Sequence, residues 1–399
     1  LLTRLSEFNP AVVHIEGLLK ALRRIYIGHT FMLTIHPGVR LRPQGFLHDC
    51  FWAAEHLVTR KRYLLTAKSA ATLFAVSGKP ESIETACPDI AELIQTPVNQ
   101  VRKYLDFLID SKIIVDGEKE ERSWAEKLYG TWAKYHWSAS AHYHVATYDY
   151  PFADYAEGGR RIDRQRMTSY GSEECDMERG KSYPQASERV VIGRPTAARV
   201  TATLGQVWDS QVTPAALKKD ALCDLLAMTF GQVGRRNLPT RGSLPVLAKT
   251  SPSGGARHPT EAYVAVADVP GLKSGWYHFN ALNAVLERII DEVDSDMLGE
   301  LFYGSWSRAP FEPRAIVLMT SVFGRNMYRY REPRTYRTIH MDAGHLISSL
   351  EHFAAAKGLS THAQSGTDDF QLEQLLGLSP LQEGVMFAVS LGDGLRKEG

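Results

Sequence analysis

Over roughly its last 200 residues the chain keeps changing hydrophobic period, and each change closes a segment too short to bury itself. Ala216–Phe230 has helical spacing, with Leu217, Leu222, Leu225 and Leu226 on one broad face. Ala262–Ala267 and Trp276–Phe279 are predicted strands, Met297–Phe302 a short helix and Ala315–Val322 a buried strand. Asp342 is expected to cap a helix from Ala343 to Lys357, with Gly358 just past its end and Leu346, Ile347, Leu350, Phe353 and Ala354 as its apolar stripe. Leu359–Gln364 and Val385–Leu391 complete the strands. Three helices interleaved with five strands predict one layered domain of mixed helix and sheet.

The first third has a different pattern. Phe31–Ile35, Val39–Arg42, Phe46–Phe51 and Arg62–Leu65 read as short strands, with turns at His36-Pro37-Gly38 and Pro43-Gln44-Gly45. Thr66 can cap a helix bearing Ala70, Leu73, Phe74 and Val76, closed by Gly78. A second helix carries Ile90, Leu93 and Ile94; a third follows Pro97 with Val98, Val101, Leu105 and Leu108. With a strand at Lys112–Val115, the order resembles a winged helix-turn-helix. Residues 121–150 are rich in aromatics and are expected to pack as a bridge, and the polar run 154–189 reads as a linker or long loop. The expected domains are therefore 1–120, 121–190 and 191–399.

At 399 residues with a formal net charge of +1, the chain has no global attraction to nucleic acid or anionic membrane. It has no apolar run long enough to span a bilayer and no signal-peptide pattern, so a cytoplasmic location is expected. Four scattered cysteines form no C-x-x-C pair, and His340, His345 and His352 lack metal-binding spacing, so no metal site is expected.

Three stretches can carry chemistry. Lys249–Tyr263 (KTSPSGGARHPTEAY) is a run of small residues ahead of a strand, with Ser253 and Arg257 adding a hydroxyl and a charge. Small residues allow close approach of backbone to a flat or anionic ligand, though an ordinary tight loop has the same pattern. Tyr328–Arg337 (YRYREPRTYR) holds four arginines and three tyrosines around Pro333 and reads as a loop that offers cations and a phenolic proton donor, or else a solvated basic loop. Thr361–Gly366 (THAQSG) ends a strand expected to be buried.

Together with Gly275–Phe279 (GWYHF) and Met341–His345 (MDAGH), these stretches resemble the SagB-type dehydrogenases, FMN-dependent relatives of the nitroreductases that include the azoline oxidases of peptide maturation. The resemblance covers roughly residues 200–399. It implies an α+β nitroreductase-like fold, a central sheet flanked by helices, in a homodimer with FMN at the interface. It further implies that Pro252, Ser253, Gly254, Gly255 and Arg257 contact the flavin, that Gln364, Ser365 and Gly366 lie near its ring, and that Arg396 reaches its phosphate. Arg329 and Tyr330 match the family's catalytic Lys-Tyr pair. Arginine stays protonated near neutral pH, so Tyr330 would be the proton-transfer group. The N-terminal module resembles the leader-peptide-recognition element of such pathways, with DNA binding or bracing as the other readings. Gln211–Ala215 (QVTPA) stands where the family has an arginine-rich stretch, with Arg194 and Arg199 upstream.

The implied activity is oxidation of an azoline to an azole, or a similar two-electron step on a peptide precursor, with a heteromeric biosynthetic partner as a further expectation. Two other readings stay open: a flavin-free partner subunit that binds peptide, and a nitroreductase taking electrons from NAD(P)H.

Overall fold

The computed structural model describes residues 33–44, 51–76, 83–116, 130–150, 158–200, 202–237 and 244–395. The chain divides into two compact units, residues 1–150 and 151–399.

In the first unit, β1 (Leu33–Ile35), β2 (Val39–Gln44), β3 (Phe51–His56) and β4 (Lys61–Leu65) precede α1 (Ala67–Val76), α2 (Ile83–Leu93) and α3 (Val98–Asp110). Next come β5 (Ile114–Asp116) and α4 (Ser138–Thr147). β2, β3 and β4 form an antiparallel sheet, and β1 pairs with β5. Thr66 caps α1 as expected, its hydroxyl accepting from the Ser69 N–H at 3.2 Å. Leu73, Ile90, Val101, Leu105 and Leu108 make the core at helical spacing. Pro43 and Gln44, expected in a turn, extend β2 instead. Gly78 and the expected strand start at Phe46 lie outside the described residues. Tyr135, Trp137 and Tyr148 of the aromatic run are exposed, with Trp137 edge-on to Trp132 and Tyr148 beside His144.

The second unit opens with α5 (Gly159–Glu173), β6 (Glu188–Val191), α6 (Leu204–Trp208) and α7 (Lys219–Phe230). Strands β7 (Gln232–Arg236) and β8 (Val246–Lys249) pair as a ribbon. Then follow β9 (Thr260–Val266), β10 (Gly275–Asn280), β11 (Val285–Ile290), α8 (Ser295–Leu301), β12 (Pro313–Val322), α9 (Phe323–Arg329), α10 (Thr335–Ala356), β13 (Ser360–Gln364), α11 (Asp369–Leu375) and β14 (Glu383–Gly392).

Seven strands form one sheet in the order β13-β14-β12-β9-β10-β11-β6, every pair antiparallel. The fold is therefore α+β. Along β12, Ala315, Val317 and Met319 join one core while Ile316 and Leu318 join another on the opposite face. The same period of two divides Ala262, Val264 and Val266 of β9 from Tyr263 and Ala265. Helix α7 and the apolar stripe of α10 cover the first face; Leu298, Leu301, Leu372 and Leu376 cover the second. Burial on both faces is why these strands read as unbroken apolar runs.

The polar run expected to be a linker carries the 15-residue helix α5, and the segment after it is packed. Lys181 bonds Glu383 and the Tyr263 hydroxyl at 2.7 and 2.6 Å, and the hydroxyls of Tyr183 and Tyr263 lie 2.8 Å apart. Its polarity matches a buried polar network, not a loose tether. Helix α10 starts at Thr335, so Asp342 is inside it and does not cap it.

Candidate active site

The turn between β8 and β9 is built on unusual backbone. Gly255, Ala256 and His258 have φ of 60°, 53° and 47°, the left-handed region that is unfavourable for any residue with a Cβ. Side chains from several elements hold it there. Asp342, one face of α10, accepts from Ser253 Oγ at 2.6 Å and from the Gly254 N–H at 3.0 Å. Ser253 Oγ in turn accepts from the His258 N–H at 2.9 Å, and the His258 ring Nε2 meets the Leu247 carbonyl at 2.9 Å. The carboxylate expected to cap its own helix thus caps this turn. Burial raises the Asp342 pKa, against the bonds from Ser253 and Gly254 that lower it. Burial, then the charge of Lys249, pushes His258 down to about 3, so its imidazole is neutral.

The glycines of the turn answer first to this chain's own packing. A Cβ on Gly254 would sit 2.2 Å from Thr338 Cγ2, and one on Gly255 would sit 2.1 Å from the Tyr330 hydroxyl. The Tyr330 phenol therefore rests directly on Gly255. α9 ends at Arg329, and the Tyr330 N–H still donates to the Asn326 carbonyl at 2.9 Å. Glu332 accepts from the Thr335 N–H at 3.2 Å at the start of α10. The segment expected to be a ten-residue loop is thus two helix ends with a short break around Pro333.

Arg257 and Arg329 are fixed by carboxylates from the supposed linker. Asp176 takes two bonds from Arg257 (2.6 and 3.3 Å) and two from Arg179 (2.6 and 3.0 Å). Burial opposes the Asp176 charge, but the two guanidinium groups outweigh it and hold its pKa below the ordinary range. Asp163 of α5 grips Arg329 through both oxygens, at 3.0 and 3.1 Å. Burial draws the Arg329 pKa down, and Tyr330 and Asp163 together raise it above its usual value, so Arg329 is a permanent cation. Its guanidinium lies 5.2 Å from the Tyr330 ring centroid. Asp163, Arg164, Met167, Gly255, Arg257 and Tyr330 are among the residues around a cleft of about 400 Å³.

Residues 214–393 match the model of the Nitroreductase family. This part of the chain is a nitroreductase-family domain. The trifolitoxin-processing protein TfxB of Rhizobium leguminosarum bv. trifolii is 29% identical over 259 residues, 62% of this chain and 68% of the relative. A protein of Methanocaldococcus jannaschii assigned as a nitroreductase is 30% identical over 128 residues, 32% of this chain and 63% of the relative. A crystal structure from Anabaena variabilis, also assigned as a nitroreductase, is 24% identical at a TM-score of 0.42; the match covers 58% of this chain but only 46% of that one. A chain of the E. coli microcin synthetase McbBCD complex, with truncated pro-MccB17 bound, is 18% identical at a TM-score of 0.39, covering 54% of this chain and 79% of that one.

Within the nitroreductase-family domain, the expected site residues fall into separate groups. Gly255, Arg257, Arg329 and Tyr330 share the cleft; Pro252 and Ser253 line a small adjoining cavity with Lys249 and Asp342. Lys249 keeps part of its surface exposed while its ammonium is enclosed, and burial lowers its pKa to about 8. Gln364, Ser365 and Gly366 lie at the end of β13, which is a half-buried edge strand and not the buried strand expected. Arg396 lies outside the described residues. Sequence reading missed Asp163, Asp176 and Arg179, because nothing local marks a carboxylate in a polar run as the partner of an arginine far along the chain. No helix among the described residues is long and apolar enough to cross a membrane.

Proposed function

We propose that this chain is an FMN-dependent dehydrogenase that oxidises a peptide-borne group by two electrons, azoline to azole or a similar step, during maturation of a peptide natural product. The observation that carries this reading is the Tyr330 phenol seated on the left-handed Gly255 turn at the mouth of a cationic cleft. The peptide side of the reading is supported by the name of TfxB, a trifolitoxin-processing protein.

The residues present fit a flavin nucleotide. Among the described residues β13 is an edge strand, so its outer side carries no neighbouring strand. At its start, the Ala215 N–H donates to the Gly358 carbonyl and the Gly394 N–H to the Ala215 carbonyl, which brings Gln211–Ala215 beside the end from which Arg396 follows. Gln364, Ser365 and Gly366 stand at its other end. Arg396 would hold the phosphate and Gln364–Gly366 the ring, with Pro252–Gly255 and Arg257 approaching the ring at the interface of a homodimer. Bound flavin supplies the two-electron acceptor.

The chain's own groups then divide the remaining work. Tyr330 moves the substrate proton at its phenolic oxygen. Arg329 supplies a fixed positive charge beside that oxygen and exchanges no proton. The N-terminal unit serves as a winged-helix module that recognises a leader peptide, in the cytoplasm and with a heteromeric biosynthetic partner. The arginine-free Gln211–Ala215 favours one rival, a flavin-free partner subunit.

The deciding experiment is flavin loading of the purified chain. A visible flavin band, released as FMN on denaturation, is the expected result; a colourless protein that excess FMN cannot load overturns the reading in favour of the partner subunit. In the loaded protein, Tyr330→Phe should lower substrate oxidation by about a hundredfold, the scale of a lost proton-transfer group, with the flavin band unchanged.

A further inference from the structure

The cleft beside Tyr330 holds more positive charge than proton transfer uses. Five arginines and two aspartates line it, a surplus of three positive charges in a chain whose formal net charge is +1. Arg179 and Arg257 are held by Asp176, and Arg329 by Asp163. Arg164 of α5 and Arg236 of β7 are exposed and make no ion pair among the described residues.

A second cleft of about 400 Å³ shares Arg179 with the first. Its own arginines, Arg194 and Arg235, are likewise exposed and unpaired among the described residues. The β7–β8 ribbon divides the two. Successive strand residues face opposite ways, and the register sets Arg235 opposite Leu247 and Arg236 opposite Val246. Arg235 and Leu247 line the second cleft; Arg236 and Val246 line the first.

We propose that these two clefts together bind an extended acidic peptide segment. Its carboxylates meet Arg164 and Arg236 on one side of the ribbon and Arg194 and Arg235 on the other. The proposal deepens the reading of the domain as acting on a peptide, and rests on it.

Three features favour a peptide over other anions. A guanidinium fork matches a carboxylate in two parallel hydrogen bonds. Apolar side chains stand between the arginines, Met167 and Val246 in one cleft and Leu247 and Leu282 in the other, where aliphatic parts of peptide side chains can lie. Single-stranded nucleic acid would call for stacking platforms, and Tyr330 is the sole aromatic lining either cleft among the described residues. Moreover, among the described residues β7 and β8 pair only with each other, so the ribbon keeps an edge to which an extended main chain can add.

The test is fluorescence anisotropy of a short fluorescein-labelled oligoglutamate peptide, whose successive side chains face both sides of an extended strand, titrated with the full chain without flavin or turnover. Saturable binding that weakens with added salt is expected, with no binding of the same peptide carrying glutamine for glutamate. Arg164→Gln/Arg236→Gln and Arg194→Gln/Arg235→Gln should each weaken binding by roughly three- to tenfold, the scale of two partly exposed charge contacts, with melting temperature unchanged. Three results would overturn the proposal: no binding of the glutamate peptide, equal binding by wild type and both double variants, or displacement by inorganic pyrophosphate at matched charge, which marks a phosphate site instead. Since no oxidation occurs in this assay, its failure is distinct from failure of flavin loading.

Discussion

Two surfaces meet at Tyr330, and they are held by different physics. On one side, the Ser253–His258 turn is locked by buried partners. Asp342 takes Ser253 and Gly254, and Arg325 (2% exposed) pairs with Glu261 and donates to the carbonyls of Glu178, His258 and Pro259. On the other side, α5 and the residue after it touch the Arg329–Arg331 segment through Asp163–Arg329, Glu173–Arg331 and Glu174–Arg331, with side chains between about a quarter and a half exposed. Removing one member of a buried pair leaves a stranded charge, at about 3–5 kcal/mol. An exposed pair contributes about 0–1 kcal/mol, since water and salt do the same work. The difference teaches that the turn is a fixed scaffold, whereas the α5 face can give way to an incoming chain. The proposed action on a peptide would use both.

The comparison breaks most readily at Arg325. Arg325→Met should destabilise the second unit by about 3–5 kcal/mol, because Glu261, only 3% exposed, then keeps its charge with the His278 imidazole at 2.9 Å in place of a guanidinium. A loss under about 1 kcal/mol in urea unfolding would mean the scaffold is no stiffer than the α5 face. Next comes Gly255→Ala, which puts a Cβ into both the left-handed backbone and the Tyr330 hydroxyl. About 1–3 kcal/mol of stability should go. A companion Tyr330→Phe/Gly255→Ala variant should recover part of it in calorimetry, since the clash is with that oxygen.

His258 sharpens the comparison through pH. Its folded pKa, about 3, lies below the ordinary value of 6.5. Its neutral burial therefore contributes fully above pH 6.5, and that contribution is lost as pH falls toward about 3. Stability measured across this window should fall with acid in the wild type and fall less in His258→Gln; parallel curves would exclude the imidazole as the source. The smallest effect is expected at Asp163. Asp163→Asn should cost at most about 1 kcal/mol, and less in high salt, in a double-mutant cycle with Arg329→Gln. A large, salt-insensitive coupling would make α5 part of the scaffold.

Much of the second unit was legible in order of residues alone. The helix ending at Phe230, the strands around Ala262–Ala267, Trp276–Phe279, Ala315–Val322 and Val385–Leu391, and Gly358 after its helix all lie within a few residues of the expected places. Their signals are local, namely apolar period, caps and breakers. β11 and β6 went unread because half-buried strands with Arg288, Glu287 and Arg189 in them have no clean alternation.

What the sequence by itself determined is the set of elements and the small residues of the turn, since steric freedom and burial period act over a few neighbours. Only the tertiary structure decided which charges are spoken for. Asp342 left its own helix for the Gly254 turn, Asp176 joined Arg179 and Arg257, and Asp163 took Arg329. Charge pairing depends on distance in space and on local solvent, and no spacing along the chain encodes either.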